Sequence, residues 1–470
     1  METAEAMWQA TVMPDCLPPT RDASRPDEPR PVAAVILAAG QGTRMKSDLH
    51  KVLHPVAGRP MLLHLLASVE ALGPERIVVV AGARREQVEA AVGGRATVAV
   101  QAEQKGTAHA VLAAKAALAG FDGDVLVLFG DAPLVETATM RRLLAALDDA
   151  TGVAVLGFRP ADAGAYGRIV TDGDRIVKMV EFKDSTPDER AVTLCNSGVL
   201  AARAAELWPL LDRVGNDNAA GEYYLPDIVA LADRPGRVVE AEVWEVAGVN
   251  SRAELAAVEA AWQARARERF MAAGVTLIAP ETVWFAHDTV VGRDVTIEPN
   301  VVFGPGVTVA DGVVIHAFSH LEGATVGPRA SVGPFARLRP GATLGAKAKV
   351  GNFVEIKAAT LGEGAKVSHL TYIGDASVGA EANIGAGTIT CNYDGFFKYR
   401  TTIGAGAFIG SNSALVAPVM VGDGAIVGAG SVITADVAPG ALALARGTQS
   451  AKAGWATRFA AAMRARKAAC

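Results

Sequence analysis

From residue 291 an apolar side chain returns at every sixth position: Val291, Ile297, Phe303, Val309, Ile315 and Leu321. One residue is dropped, and Val326, Val332, Leu338, Leu344, Val350 and Ile356 resume the count. Tyr372, Val378 and Ile384 keep it, and Ile403, Ile409, Leu415, Val421, Val427 and Ile433 complete it. A single α-helix or strand does not bury side chains with this period. A coil of three short strands does, with one hexad on each side of a triangular prism. The span 291–438 predicts about eight such coils. Glycine often follows the apolar residue directly, as at Gly292, Gly327, Gly345, Gly379 and Gly385, where the expectation is a tight corner that only glycine turns easily. The period alone leaves the hand of the coil open. Such a prism can be an inert spacer. However, the segment CNYDGFFKYRTT (391–402) interrupts the repeat with polar, aromatic and basic residues, and insertions in solenoids often mark a binding face.

The chain ahead of this repeat has a different grammar. Apolar runs at 34–40, 76–82, 124–131 and 152–158 alternate with helical patterns such as 61–72 and 107–118. Strand–helix alternation predicts an α/β fold with a parallel sheet covered by helices. Ligands of such sheets sit at the carboxyl ends of the strands, where Gly40 and Asp131 fall. Ser251 with Glu254 three places on is a capping box that opens a long helix over 251–273, and Gly274 closes it. The expected organisation is a disordered extension over 1–30, a first domain over 31–250, a linker helix over 251–274, a prism over 275–450 and a solvated basic helical tail over 451–470. Met13 is an alternative start.

Net charge and composition exclude some classes. A charge of −5 over 470 residues argues against a dedicated nucleic-acid partner. The four cysteines, Cys16, Cys195, Cys391 and Cys470, form no C-x-x-C pair and read as free thiols of a reducing, cytoplasmic setting. No apolar run reaches membrane-spanning length, and the first thirty residues lack the apolar stretch of a secretory signal.

The most chemical segment of the first domain is GQGTR (40–44). It is neither a G-x-G-x-x-G fingerprint, since Met45 stands at the third glycine, nor a Walker A loop. The physics is shared nevertheless. Gly40 and Gly42 let backbone N–H groups approach an anion, Arg44 offers a forked cation and Lys51 a point charge.

Leu37, Gly40, Gly42, Thr43, Arg44, Met45 and Lys51 together resemble the opening signature of the sugar-phosphate nucleotidyltransferase family. Later segments are similar to its bacterial bifunctional members, in which an N-acetylglucosamine-1-phosphate uridylyltransferase is joined to a glucosamine-1-phosphate acetyltransferase. The resemblance runs from about residue 32 to 450. It implies a Rossmann-like nucleotidyltransferase domain followed by a left-handed parallel β-helix of hexapeptide repeats. It also implies synthesis of UDP-N-acetylglucosamine for cell-wall and lipopolysaccharide precursors, with UTP and acetyl-CoA as co-substrates and Mg²⁺ as the metal.

Residue by residue, the resemblance gives the glycine loop with Leu37, Arg44 and Lys51 to the triphosphate. Gln101, Gly106 and Thr107 (QAEQKGTAHA) go to the uracil, with Thr107 also expected to cap the following helix. Gly167, Glu181 and Asn196 go to the sugar, and Asp131 and Asn250 to the metal. Phe129 stands where the family often has tyrosine. In the prism it implies His369 as general base, a role that suits histidine because its side chain titrates near neutrality. Arg339, Lys357, Tyr372 and Asn383 would hold glucosamine-1-phosphate. Ala386, Asn392, Tyr393, Lys398, Ser411, Ala429 and Arg446 would lie at the acetyl-CoA site, with Ala386 N–H steadying the oxyanion and Lys398 also reaching the 1-phosphate. Stacking is expected to gather His369, Tyr372 and Asn383 on one face with Arg339 and Lys357. The implied assembly is a homotrimer with acetyl-CoA bound between subunits, and Phe396 and Phe397 are expected to help cover that groove. A single-activity nucleotidyltransferase with an inert prism is one alternative, and the set His369, Tyr372, Asn383 and Lys398 separates it; a regulatory scaffold with a dead active site is the other, and intact Arg44, Lys51, Asp131 and Asn250 argue against it.

Overall fold

The computed structural model describes residues 30–469. Met13, Cys16, Cys470 and nearly all of the expected N-terminal extension lie outside them. The first domain is built on a nine-stranded sheet. Val32–Ala38 is its hub, flanked by Arg76–Ala81 on one side and Asp124–Phe129 on the other, with Thr97–Val100 beyond; all four run parallel. Residues 33–36 are fully buried because helices cover both faces, which is why this strand is continuously apolar. Beyond Asp124–Phe129 the sheet departs from the all-parallel expectation. Cys195–Arg203 enters antiparallel between Asp124–Phe129 and Val153–Phe158. The order of strands reverses beside Val32–Ala38, so the loops after residues 38 and 129 diverge to leave a crevice.

Met61–Leu72 forms the helix its pattern predicts, whereas the second predicted helix breaks: Thr107–Leu112 is α-helical and a short 3-10 turn follows at Ala116–Leu118. The linker helix spans Arg252–Ala272, with the Ser251 side chain accepting from Glu254 N–H and Gly274 at φ +94° just past its end. It ties the two domains together. Glu259 accepts from Ala57 N–H at 2.7 Å, and Gln263 exchanges hydrogen bonds with both backbone groups of Phe285.

The repeat folds as a left-handed parallel β-helix with three sheets of ten, eight and eight short strands. The added rungs belong to one face, which starts at Thr276–Leu277 and ends at Leu442–Ala443, outside the hexad count. Val295, Ile297, Ile315, Val332, Val350, Ile356, Leu361 and Ile409 are fully buried along the axis. Two readings of the repeat are corrected. At 372 the inward residue is Ile373, fully buried, and Tyr372 points outward, because the six-residue count from Val367 reaches 373. Apart from Gly333, at φ +101°, the glycines directly after the apolar positions are not left-handed. The left-handed corners fall elsewhere, at other glycines such as Gly312, Gly364 and Gly387 and at Phe318, Lys347, Phe353 and Leu370, these four with φ between 50° and 59°. Gly362 and Gly385 are needed for stacking instead: a Cβ there would stand 2.5 Å from the N of Ala380 and of Ser411 on the next coil. The insertion 391–402 bulges from one coil, closed by an antiparallel bridge between Tyr393 and Lys398. The tail forms the helix Trp455–Ala468, which buries no residue.

Candidate active sites

A cavity of about 330 Å³ opens at the switch point, lined by Leu37, Gly40, Lys51, Gln101, Thr107 and Asp131 among others. Gly42 turns at φ +61°, and a Cβ there would meet the Lys51 Cβ at 2.5 Å, so the lysine stem can pass beneath the loop only because the residue is glycine. The Lys51 ammonium reaches the Asp131 carboxylate and, at 3.1 Å, Oδ1 of Asn250. Residues far apart in sequence thus bring two oxygens to one cation. Arg44 is exposed on the same loop. Gln101 is buried, its side-chain amide meeting Gly106 O at 3.2 Å and His109 Nδ1 at 3.0 Å. Gly106 adopts φ +113° with Tyr223 O 2.5 Å from its notional Cβ, so no side chain fits. Thr107 does not cap its helix; its hydroxyl accepts from Leu225 N–H at 2.9 Å, because the chain 221–225 packs over the helix start.

Across the crevice Gly167 lies 3.2 Å from the Glu181 carboxylate, measured from its notional Cβ, and its carbonyl accepts from Asn196 N–H at 2.9 Å. Burial, then the carboxylates of Asp227 and Asp184, push the Glu181 pKa upward. Three lining or supporting residues carried no signal in the sequence: Gln104, which donates to Ala39 O, Glu222, and His109, which holds Gln101.

On the prism the expected set divides between two adjacent faces. Lys357 and Tyr372 belong to strands of one sheet, and Arg339 directly follows another of its strands. Arg339 pairs with Glu355 at 2.7 Å, Lys357 with Asp375 at 3.2 Å, and Asn392 donates to Asp375 and, at 3.4 Å, to the Tyr372 hydroxyl. The shared hydrogen bond with Lys398 and the Asp375 carboxylate raise the Lys357 pKa, while Lys357 lowers that of Lys398. His369 and Asn383 lie on the neighbouring sheet, His369 before the corner at Leu370 and Asn383 before the equivalent corner at Gly387 one coil on, which is why the single face expected from stacking does not form. His369 Nδ1 meets Asn352 Oδ1 at 2.5 Å, one coil back in register.

From His369 a column of equivalent positions continues along that corner through Ala386, Ser411 and Ala429. Asn412 N–H bonds Ala386 O, Gly430 N–H bonds Ser411 O, and Arg446 donates to Ala429 O at 2.8 Å. Tyr393 stands apart, 60% exposed, with its hydroxyl donating to Gly395 O inside its own loop. Asn352, Glu355 and Asp375 were not singled out by sequence. Only their register positions beside His369, Arg339 and Lys357 could have found them.

A crevice-forming nucleotide-type sheet coupled to a hexapeptide prism defines a two-domain transferase. The MobA-like NTP transferase domain family matches residues 34–273, and the bacterial transferase hexapeptide family matches 288–323 and 400–435. Curated relatives named bifunctional protein GlmU include those of Sphingopyxis alaskensis, 65% identical over 93% of this chain and 98% of the relative, and Rhizorhabdus wittichii, 67% identical over 94% and 99%. The Zymomonas mobilis protein of the same name is 60% identical over 92% and 98%. The chain belongs to the GlmU family of bifunctional proteins. It is a bifunctional enzyme whose nucleotidyltransferase and hexapeptide acyltransferase domains fit two-step synthesis of UDP-N-acetylglucosamine: acetyl transfer, then uridylyl transfer.

Proposed function

We propose that the glycine-loop cavity is the uridylyl-transfer centre and that the prism corner at His369 is the acetyl-transfer centre. The convergence of Lys51, Asp131 and Asn250 is the observation that carries the first assignment. UTP and N-acetylglucosamine-1-phosphate are both anionic. Lys51 and Arg44 screen their repulsion, the loop N–H groups cradle phosphate, and the sugar-phosphate oxygen attacks the α-phosphorus in line while pyrophosphate leaves. Gln101, Gly106 and Thr107 receive the uracil, and Gly167, Glu181 and Asn196 the sugar. Asp131 and Asn250 suit Mg²⁺, a hard cation that keeps several waters and asks for few protein oxygens; when bound it neutralises charge on the phosphates. No cluster of three or more acidic, His or Cys ligands exists among the described residues, and such an ion does not require one.

At the second site, Asn352 Oδ1 faces His369 Nδ1, which makes Nδ1 the protonated nitrogen and leaves Nε2 to accept the proton of the attacking amine. The column Ala386, Ser411, Ala429 and Arg446 is the track for acetyl-CoA, its thioester end at His369 and Ala386 N–H turned to the oxyanion. Lys357, Lys398, Arg339 and Tyr372 take the 1-phosphate, and Asn383 the sugar. Because His369 and Lys357 lie on adjacent faces, the pocket closes when another protomer packs on the corner. Phe318, Phe335 and Phe353 stack at 5.0 Å along that corner and are each about half exposed, which supports a homotrimer with sites between subunits. Asp131→Ala beside His369→Ala, each assayed for pyrophosphate release and for free CoA thiol, tests the assignment. Each change abolishes one activity and spares the other; loss of both, or of neither, overturns it.

A further inference from the structure

The first turn of the linker helix does more than join the domains, because it grips the segment that carries Lys51. Asn250, which meets the Lys51 ammonium, directly precedes the helix cap Ser251. The Asn250 N–H and the Ser251 hydroxyl both donate to Oε2 of Glu254, at 2.8 and 2.9 Å. Next to them, Val249 N–H donates to Asp131 O at 2.9 Å, so the loops bearing the two oxygens are tied to each other through their backbones.

Arg252 reaches from the same turn toward Lys51. Its Nε donates to Met45 O at 3.3 Å, and a terminal N–H donates to His54 Nδ1 at 3.2 Å. These two acceptors bracket the lysine. Met45 ends the short turn Thr43–Met45, directly after Arg44. His54 closes the turn Lys51–Leu53, its N–H donating to Lys51 O at 3.3 Å. A guanidinium only donates, so the His54 ring accepts at Nδ1 and is neutral; burial, and then Arg252 itself, hold its pKa low. Both turns are single 3-10 turns of three residues, too short to hold their own shape. Their order comes from tertiary contacts. The Met45 side chain is fully buried in a small core with Val258 of the helix, Val249 and Leu134, and Arg252 supplies the directional contacts.

We infer that Arg252 is a positioning residue for uridylyl transfer. It braces both ends of the segment 45–54 against the linker helix and so sets the Lys51 ammonium where Asp131 and Asn250 converge. The inference rests on the proposed uridylyl-transfer centre. One helical turn thereby fixes both partners of a contact: Glu254 holds Asn250 and Arg252 holds the lysine turn.

The test is Arg252→Ala and Arg252→Lys in the full chain, beside Lys51→Ala. In Arg252→Ala the kcat for pyrophosphate release falls about tenfold to a hundredfold, the scale of a catalytic group displaced by up to about 1 Å. The KM for N-acetylglucosamine-1-phosphate stays put, because Gly167, Glu181 and Asn196 lie across the crevice. Acetyl transfer and the urea midpoint also change little, since Arg252 is itself exposed. Arg252→Lys keeps the charge and a donor that reaches one acceptor, and recovers part of the lost rate. An unchanged kcat in Arg252→Ala overturns the inference. So does a lower urea midpoint with a raised sugar-phosphate KM, which marks a loosened domain, and so does a lysine variant as slow as the alanine one. Lys51→Ala separates this inference from the reading beneath it. Full pyrophosphate release in Lys51→Ala defeats the uridylyl-transfer reading, whereas a loss there with none in Arg252→Ala defeats the bracing role alone.

Discussion

Asn352 and His369 occupy the same register position on successive coils, and the amide oxygen of the first meets Nδ1 of the second at 2.5 Å. Such a contact fixes the ring plane and the tautomer at once. Replacing His369 by Ala should lower the acetyl-transfer kcat by about 10²–10⁴, the usual range for a general base. Asn352→Ala removes only the orienting bond, worth about 1 kcal/mol, and should cost about fivefold to tenfold. Free-thiol release measures both, with pyrophosphate release as the unaffected control. An Asn352→Ala enzyme at full acetylation rate removes the orienting role.

Metal removal should separate the two halves of the molecule. The oxygens of Asp131 and Asn250 already converge on one cation, the Lys51 ammonium, whereas the prism cluster joins Arg339, Glu355, Lys357 and Asp375 as self-neutralising pairs. Chelation of divalent cations should therefore stop uridylyl transfer and leave acetyl transfer intact, and Mg²⁺ should restore it. Asp131→Asn should raise the Mg²⁺ concentration needed for half-maximal rate by about tenfold. Persistent pyrophosphate release in excess chelator contradicts this.

Much of this was legible from periodicity and glycine placement. The six-residue return of aliphatic side chains fixes a three-sided coil, and Gly40, Gly42 and Asp131 sit where strands of an open sheet end. What stayed hidden depends on relations between coils. Whether a residue lies before or after a corner turns on a single deletion, and that decides that His369 and Tyr372 occupy different faces and that Ile373 rather than Tyr372 points inward. The supporting residues were invisible for the same reason: Asn352 and Asp375 act through neighbours a whole coil away. In the first domain, Gln104 and Glu222 meet the cavity from loops with no regular pattern.

Gly42 offers a test of backbone geometry. It stands at φ +61°, and a Cβ there meets the Lys51 Cβ at 2.5 Å. Gly42→Ala adds about 1–2 kcal/mol of left-handed strain and forces Lys51 away from Asp131. Uridylyl transfer should fall by at least about a hundredfold, the scale expected when a catalytic group is displaced by about 1 Å. Circular dichroism and acetyl transfer should change little, because the loop is remote from the prism. Wild-type pyrophosphate release in this variant means that the lysine stem need not pass under the loop.

His64 carries a pH-dependent part of stability at the junction of the two domains. Its Nε2–H donates to Val56 O at 2.8 Å, and its ring packs edge-on to Trp262 of the linker helix and to His287 at the start of the prism. Burial, with smaller contributions from Arg59 and His287, lowers its pKa to about 4, against the bond to Val56, which raises it. The unfolded chain takes up this proton near pH 6.5 and the folded chain only near 4, so between those values the unfolded state binds more protons. Stability is then complete above about pH 6.5 and falls as the pH drops through the window, by up to about 3 kcal/mol from this group. His50 and His54 are also held low, chiefly by burial, and add slope of the same sign. Urea unfolding followed by tryptophan fluorescence should give midpoints that decline from pH 6.5 toward 4, with a shallower decline in His64→Phe. A decline equally steep in that variant removes His64 from the dependence.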